Sequence, residues 1–136
     1  MDQAVDADEG VGIVTELARR FRAGDAEGAL RLFHPNICIE QPASLPHGGR
    51  HSGLEGVAAM GANFAAHWER SIANPRILGC GESVVQVTTQ TWTAKASGRS
   101  ATVDVVELFS FSDGLISEIR VFQQDTHLLI GTLRDG

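Results

Sequence analysis

Three runs in the second half of the chain alternate in polarity at a period of two, with turn residues between them: Ser83 to Lys95, Ala101 to Phe111 and Leu115 to Asp125. Side chains on a β-strand point to opposite faces in turn, so such runs read as strands. Ser112, Asp113 and Gly114 fit a tight turn between the last two. A chain ending in consecutive strands joined by turns is held to an antiparallel sheet, with the helices before it packed on one face.

The phases assign the faces. From Ala101 to Phe111 one phase holds Ala101, Val103, Val105, Glu107, Phe109 and Phe111, so a carboxyl points where valines and phenylalanines point. An acid facing an apolar interior loses solvation, which disfavours its charged form and raises its pKa. Such a group is suited to moving protons near neutral pH. The other reading is a buried Glu satisfied by an arginine or by backbone groups. In the next strand Leu115, Ser117, Ile119 and Val121 lead to Gln123 and Asp125, so a core face ends in an amide and an acid, as a cavity mouth would. Asp125 also precedes THLLIGTL and is a good helix N-cap.

In the run from Ser83 one phase carries Val84, Gln86, Thr88, Gln90, Trp92 and Ala94. Facing inward, it sets Gln90 and Trp92 on the cavity wall, the indole being a flat surface for a ring-shaped ligand. The opposite phase, rich in Val and Thr and free of charge, faces outward with Val106 and Leu108. An uncharged outer sheet face is usually covered by a partner, which predicts a homodimer through it.

The first half reads as helical. Ile13, Leu17 and Phe21 form a stripe from about Gly12 to Arg22, and Asp25 is placed to cap a second helix through Phe33. His34-Pro35-Asn36 is a turn, Ile37 to Gln41 a short strand, and Gln41 to Gly53 a loop rich in Gly and Pro. A third helix from Leu54 to about Glu69 presents Leu54, Val57, Gly61, Phe64 and Trp68 on one face, and Arg76 to Gly79 fits a short strand. The acidic start, MDQAVDADEG, is expected to be a frayed lead-in.

At 136 residues the chain is long enough for one domain, covering 1–136, with a real core. A net charge of −6 without a basic stripe argues against a nucleic-acid partner. No apolar run is long enough to cross a membrane, and Cys38 and Cys80 stand alone, which fits a cytoplasmic protein. The five histidines form no HExxH or other metal pattern, and no nucleotide-binding loop is present, so neither a metal nor a cofactor is expected. The single lysine, Lys95, lies near a hairpin tip, where it is unsuited to Schiff-base chemistry. There is no tyrosine, so no step can use a phenol as acid or oxyanion donor.

The segments FRAGDAEGALRLFHPN (Phe21 to Asn36) and QPASLPHGGRHSG (Gln41 to Gly53), with Glu107 to Asp125 and DTHLLIGTL, resemble in their order the nuclear-transport-factor-two-like superfamily. That superfamily includes ketosteroid isomerases and SnoaL-like polyketide cyclases. The resemblance spans nearly the whole chain and implies an α+β fold: a cone-shaped, curved antiparallel sheet with three helices of the N-terminal half on its concave face. Glu107 falls where ketosteroid isomerases keep the protonated acid of their oxyanion hole, and Gln41 where they keep the general base. Leu17 stands where their oxyanion tyrosine is expected, and His47 replaces the Tyr of an SLPYGG motif. Asp125 resembles the late acidic residue that SnoaL-like cyclases use for proton transfer. Because the superfamily hosts many chemistries, the fold alone fixes no reaction.

Together these readings predict a cofactor-independent enzyme acting on a small apolar, carbonyl-bearing molecule by cyclisation, isomerisation or dehydration. Asp125 would be the general base and Glu107 the neutral donor to an oxyanion, while Gln41, Trp92, Gln123, Gln90, His47 and Phe109 hold the substrate. The alternatives are water activation for epoxide opening in the same pocket, and a non-catalytic ligand-binding domain.

Overall fold

The structure, a computed structural model, describes residues 5–134. Helix α1 spans Ala7–Arg22 and is followed by a short α2, Ala26–Leu30. Strand β1 (Phe33–Gln41) and the short β2 (Gly49–Ser52) precede α3 (Gly53–His67). Four long strands follow: β3 (Trp68–Cys80), β4 (Ser83–Ala94), β5 (Ser100–Ser112) and β6 (Leu115–Gln123). A terminal helix α4 spans Thr126–Gly131.

The strands form one open sheet in the order β2-β1-β6-β5-β4-β3. Every pair is antiparallel except β1 with β6, which is parallel, so the sheet is mixed where a wholly antiparallel one was expected. The helices of the first half sit against its inner face. In that pair Cys38 lies beside Glu118 and Ile39 beside Ile119, with a register shift between Phe33 and Cys38.

Several boundaries differ from the sequence reading. The start of the chain is not wholly a frayed lead-in: residues 1–4 lie outside the described residues, but α1 already begins at Ala7. The Asp6 carboxylate accepts a hydrogen bond from the Glu9 N–H at 2.8 Å and so caps an orphan donor of the first turn. Gly10 then lets this helix lie close to the sheet, since a Cβ there would stand 2.8 Å from Val84 Cγ2. Asp25 caps α2 through the Gly28 N–H, but that helix stops at Leu30. β1 starts at Phe33, through the expected turn at His34-Pro35-Asn36. The glycine-rich loop contains β2, and β3 begins at Trp68, much earlier than Arg76.

The inner-face phases are as the alternation predicts: Val84, Gln86, Thr88, Gln90, Trp92 and Ala94 are all buried. Two apolar clusters result. One joins Val14, Leu17, Phe33, Ile37, Ile39, Val57, Phe109 and Ile119, and the other Leu45, Trp68, Trp92, Val103, Val105 and Leu129. A cavity draws its walls from both.

Candidate functional site

The cavity has a volume of about 540 Å³, in the range of small-molecule sites. Its floor is the inner face of β4, β5 and β6, its side wall is β1, and Leu17, Ala18 and Phe21 of α1 close it opposite β3. Phe21 and Ile72 are each about half exposed, at 52% and 54%, and belong to the lining. They mark the mouth, between α1 and the edge strand. There β3 bulges between Ala73 and Arg76, with Asn74 in the left-handed region at φ 52° and Pro75 beside it. Proline is tolerated here because an edge strand leaves one row of amides without partners.

Glu107 sits on the cavity floor. The ladder aligns it with Gln86 on one side and Val121 on the other. The little surface it keeps opens on the cavity. Burial pushes its pKa up, opposed in part by the positive charge of Arg70. Arg120 on the neighbouring strand turns to the other face, where it lies 3.8 Å from Glu40 and over the Phe122 ring, and so does not pair with Glu107.

Amides surround the acid. Gln41 ends β1 and Gln123 ends β6, and both line the cavity with Gln86 and Gln90. The Oε1 atoms of Gln41 and Gln123 are buried without a protein partner, while Gln41 Nε2 makes only a 3.6 Å contact to the Met60 sulfur. Gln90 is already engaged. Its Oε1 accepts from Trp92 Nε1–H and its Nε2 donates to Thr88 Oγ1, both at 2.9 Å, which fixes the indole.

His47 and Trp92 give the lining an aromatic side, with Phe64 and Trp68 packed against them. His47, Phe64, Trp68 and Trp92 pack ring to ring, with Phe64 and Trp92 4.8 Å apart in a T-shape and His47 5.3 Å from Phe64. Trp68 is anchored to the tail of the chain, since its Nε1–H donates to Thr132 Oγ1 at 2.8 Å. His47 is 3% exposed, and its Nδ1 has no protein partner. Desolvation, helped by the charges of Arg70, His51 and His67, lowers its pKa to about 4, so it is neutral at pH 7.

Of the residues singled out in the sequence, Gln41, His47, Gln90, Trp92, Glu107, Phe109 and Gln123 all line this cavity. Asp125 does not. Its carboxylate accepts from the Leu128 N–H at 3.1 Å and caps α4, the other use its position allowed. The end of β6 at Gln123 turns the chain away before the acid can reach the floor. Arg70 was not foreseen. It lines the cavity from β3, registered beside Trp92, with its guanidinium 4.8 Å from the centre of the Phe64 ring. Reading α3 through Glu69 left Arg70 at a helix end; alternation of Trp68, Arg70 and Ile72 was the available signal.

A mixed open sheet under N-terminal helices, enclosing a cavity with one acid on its floor, is an architecture of the NTF2-like kind. The SnoaL-like domain matches residues 14–119, and the chain belongs to that family. Among solved structures it is similar to an NTF2-like protein from Burkholderia xenovorans, with 25% identity over 97% of this chain and 100% of that one and a TM-score of 0.84. An NTF2-like protein of unknown function from Burkholderia pseudomallei is 26% identical over 93% and 98%, with a TM-score of 0.83. TerC, co-crystallised with polyporic acid, shares the fold at 23% identity over 93% and 99%, with a TM-score of 0.82. No curated protein matches the chain.

Proposed function

We propose that the chain is a cofactor-independent enzyme that moves a proton within a small, largely apolar, carbonyl-bearing molecule, with Glu107 as the group that carries the proton. One observation bears the reading: Glu107 is the sole carboxyl among the cavity's described lining residues, and burial raises its pKa toward the range where it can both take and give a proton. Ionised, Glu107 would remove the proton next to the carbonyl, leaving an enolate whose oxygen accepts from the Gln41 or Gln123 amide N–H. The same carboxyl, now protonated, would return the proton to another atom of the ligand. Returned to another carbon of the enolate, the proton completes an isomerisation; where the enolate carbon has first added to a second carbonyl carbon of the ligand, return of the proton to that carbonyl's oxygen completes a ring closure. TerC's crystallisation with polyporic acid supports a small-molecule occupant for a cavity on this scaffold.

A single carboxyl gives no support to epoxide opening, which asks one acid to activate water and a second to protonate the leaving oxygen. Gln41 favours a second reading, ligand binding without turnover, because an amide cannot serve as a base there.

Solvent-deuterium exchange into 2-tetralone, followed by NMR, tests the proposal. The wild type should accelerate exchange, and Glu107→Gln should lose about two powers of ten of that acceleration. Undiminished exchange in the variant refutes it, and binding of the ketone without exchange by the wild type supports the second reading.

A homodimer through the outer sheet face remains part of this reading. Leu78, Val85 and Leu108 form one cross-strand row there and Val87, Val106 and Phe122 the next, with Leu78 and Phe122 53% and 45% exposed.

A further inference from the structure

We propose that Arg70 forms an anion subsite just inside the cavity mouth, and that the ligand is a ring-bearing molecule with a carboxylate held there beside Trp92. The first support is charge. The protein carries a net charge of −6, yet the cavity lining holds two arginines, Arg22 and Arg70, against one acid, Glu107. Burial disfavours the charged form of Glu107, and the positive charge of Arg70 opposes that shift.

The second support is the state of Arg70 itself. Arg19, Arg20, Arg31, Arg50 and Arg120 each reach a carboxylate within 4.0 Å; among the described residues Arg70, like Arg22, Arg76 and Arg99, has no such partner, and of these only Arg70 and Arg22 line the cavity. Although it keeps exposed surface, the protein packed around it desolvates its charge and lowers its pKa, an effect opposed by Glu107. The exposed face of Arg70 leaves its guanidinium fork open to a bound carboxylate, which can accept two parallel N–H bonds from it.

Geometry is the third support. Arg70 is registered directly beside Trp92 and its guanidinium stacks over Phe64, which holds the fork at one edge of the aromatic wall. Glu107 lies on the next strand, opposite Gln86 and well down β4 from Trp92. A ligand in the cavity therefore meets the Arg70 cation, the Trp92 ring beside it and the proton-carrying acid. Only the placement of the reacting end rests on the proton-transfer reading; the anion subsite does not.

The test is an NMR titration at pH 7 with two probes of one shape, 2-naphthoate and the neutral 2-naphthamide. The indole Nε1–H signals of the two tryptophans report occupancy and, before ligand is added, an intact fold. The wild type should bind the anion about ten to a hundred times more tightly than the amide. Arg70→Met should bring the anion down to the amide's affinity while leaving the amide unchanged, and Arg70→Lys should keep part of the preference. Equal affinities in the wild type, or a preference that survives Arg70→Met, overturn the proposal. Glu107→Gln separates the two claims: it should cut the acceleration of deuterium exchange about a hundredfold and keep the anion preference. A preference without exchange in the wild type would sink only the catalytic reading, and exchange without a preference only the subsite.

Discussion

Replacing His47 with phenylalanine should change how the protein's stability depends on pH, in a direction and by an amount the structure sets. His47 is packed among Phe64, Trp68 and Trp92 and has a pKa of about 4 in the folded protein, against 6.5 for an unperturbed histidine. Above pH 6.5 both states hold it neutral and it makes no pH-dependent contribution. Between pH 6.5 and about 4 the unfolded chain binds a proton that the folded protein refuses, so stability falls as the pH falls. Linkage puts the loss at about 2 kcal/mol between pH 7.5 and pH 5, and about 3 kcal/mol by pH 4. Glu107 acts the other way in the same region, because its raised folded pKa makes the native state take up a proton first and gain stability as the pH drops through that value toward 4.5. The slope of the wild type alone therefore mixes two opposed titrations. The difference between His47→Phe and wild type cancels Glu107, which both proteins retain. Urea unfolding followed by tryptophan fluorescence at pH 7.5, 6 and 5 gives that difference. Whatever offset the larger ring imposes at pH 7.5, the variant should gain about 2 kcal/mol on the wild type by pH 5. Parallel stability curves would refute the argument, since they would mean that the folded protein protonates His47 as readily as the unfolded chain does.

Two further expectations concern residues outside the cavity. Asp125→Ala should cost about 1 kcal/mol in urea unfolding through loss of the cap on α4, and should leave deuterium exchange into 2-tetralone within about twofold of wild type; a loss of exchange comparable to that of Glu107→Gln would restore Asp125 to the chemistry. Val106→Asp places a charge in the outer apolar rows and should turn a sedimenting dimer into a monomer, whereas a monomeric wild type would remove the case for the interface.

Much of the site could be read from alternation alone, because a period of two fixes a side chain's face without knowledge of the strand's neighbours. That is why the alternation of two runs of sequence places Gln90, Trp92, Glu107 and Phe109 on one wall. Asp125 shows the limit of the method. It continues the phase of Val121 and Gln123, but the strand ends at Gln123 and the carboxylate turns to the Leu128 amide instead. Arg70 was hidden by a different cause. α3 gives way to β3 between His67 and Trp68 with no glycine or proline to mark the change, and the Pro75 bulge further on disguises the strand. The parallel pairing of β1 with β6 joins segments far apart in the chain, and no local pattern encodes which strands become neighbours.

That pairing also governs the order in which the protein can fold. β1 has one neighbour close by in sequence, the four-residue β2, and its other neighbour is the last strand of the sheet. A chain emerging from the ribosome must carry Ile37 and Ile39 without their final cover until β6 has been made. Distant pairings of this kind carry a loop-closure entropy that slows folding. The protein should consequently acquire its structure only after β6 is released from the exit tunnel, and during synthesis its half-covered first strand is the segment most in need of a chaperone.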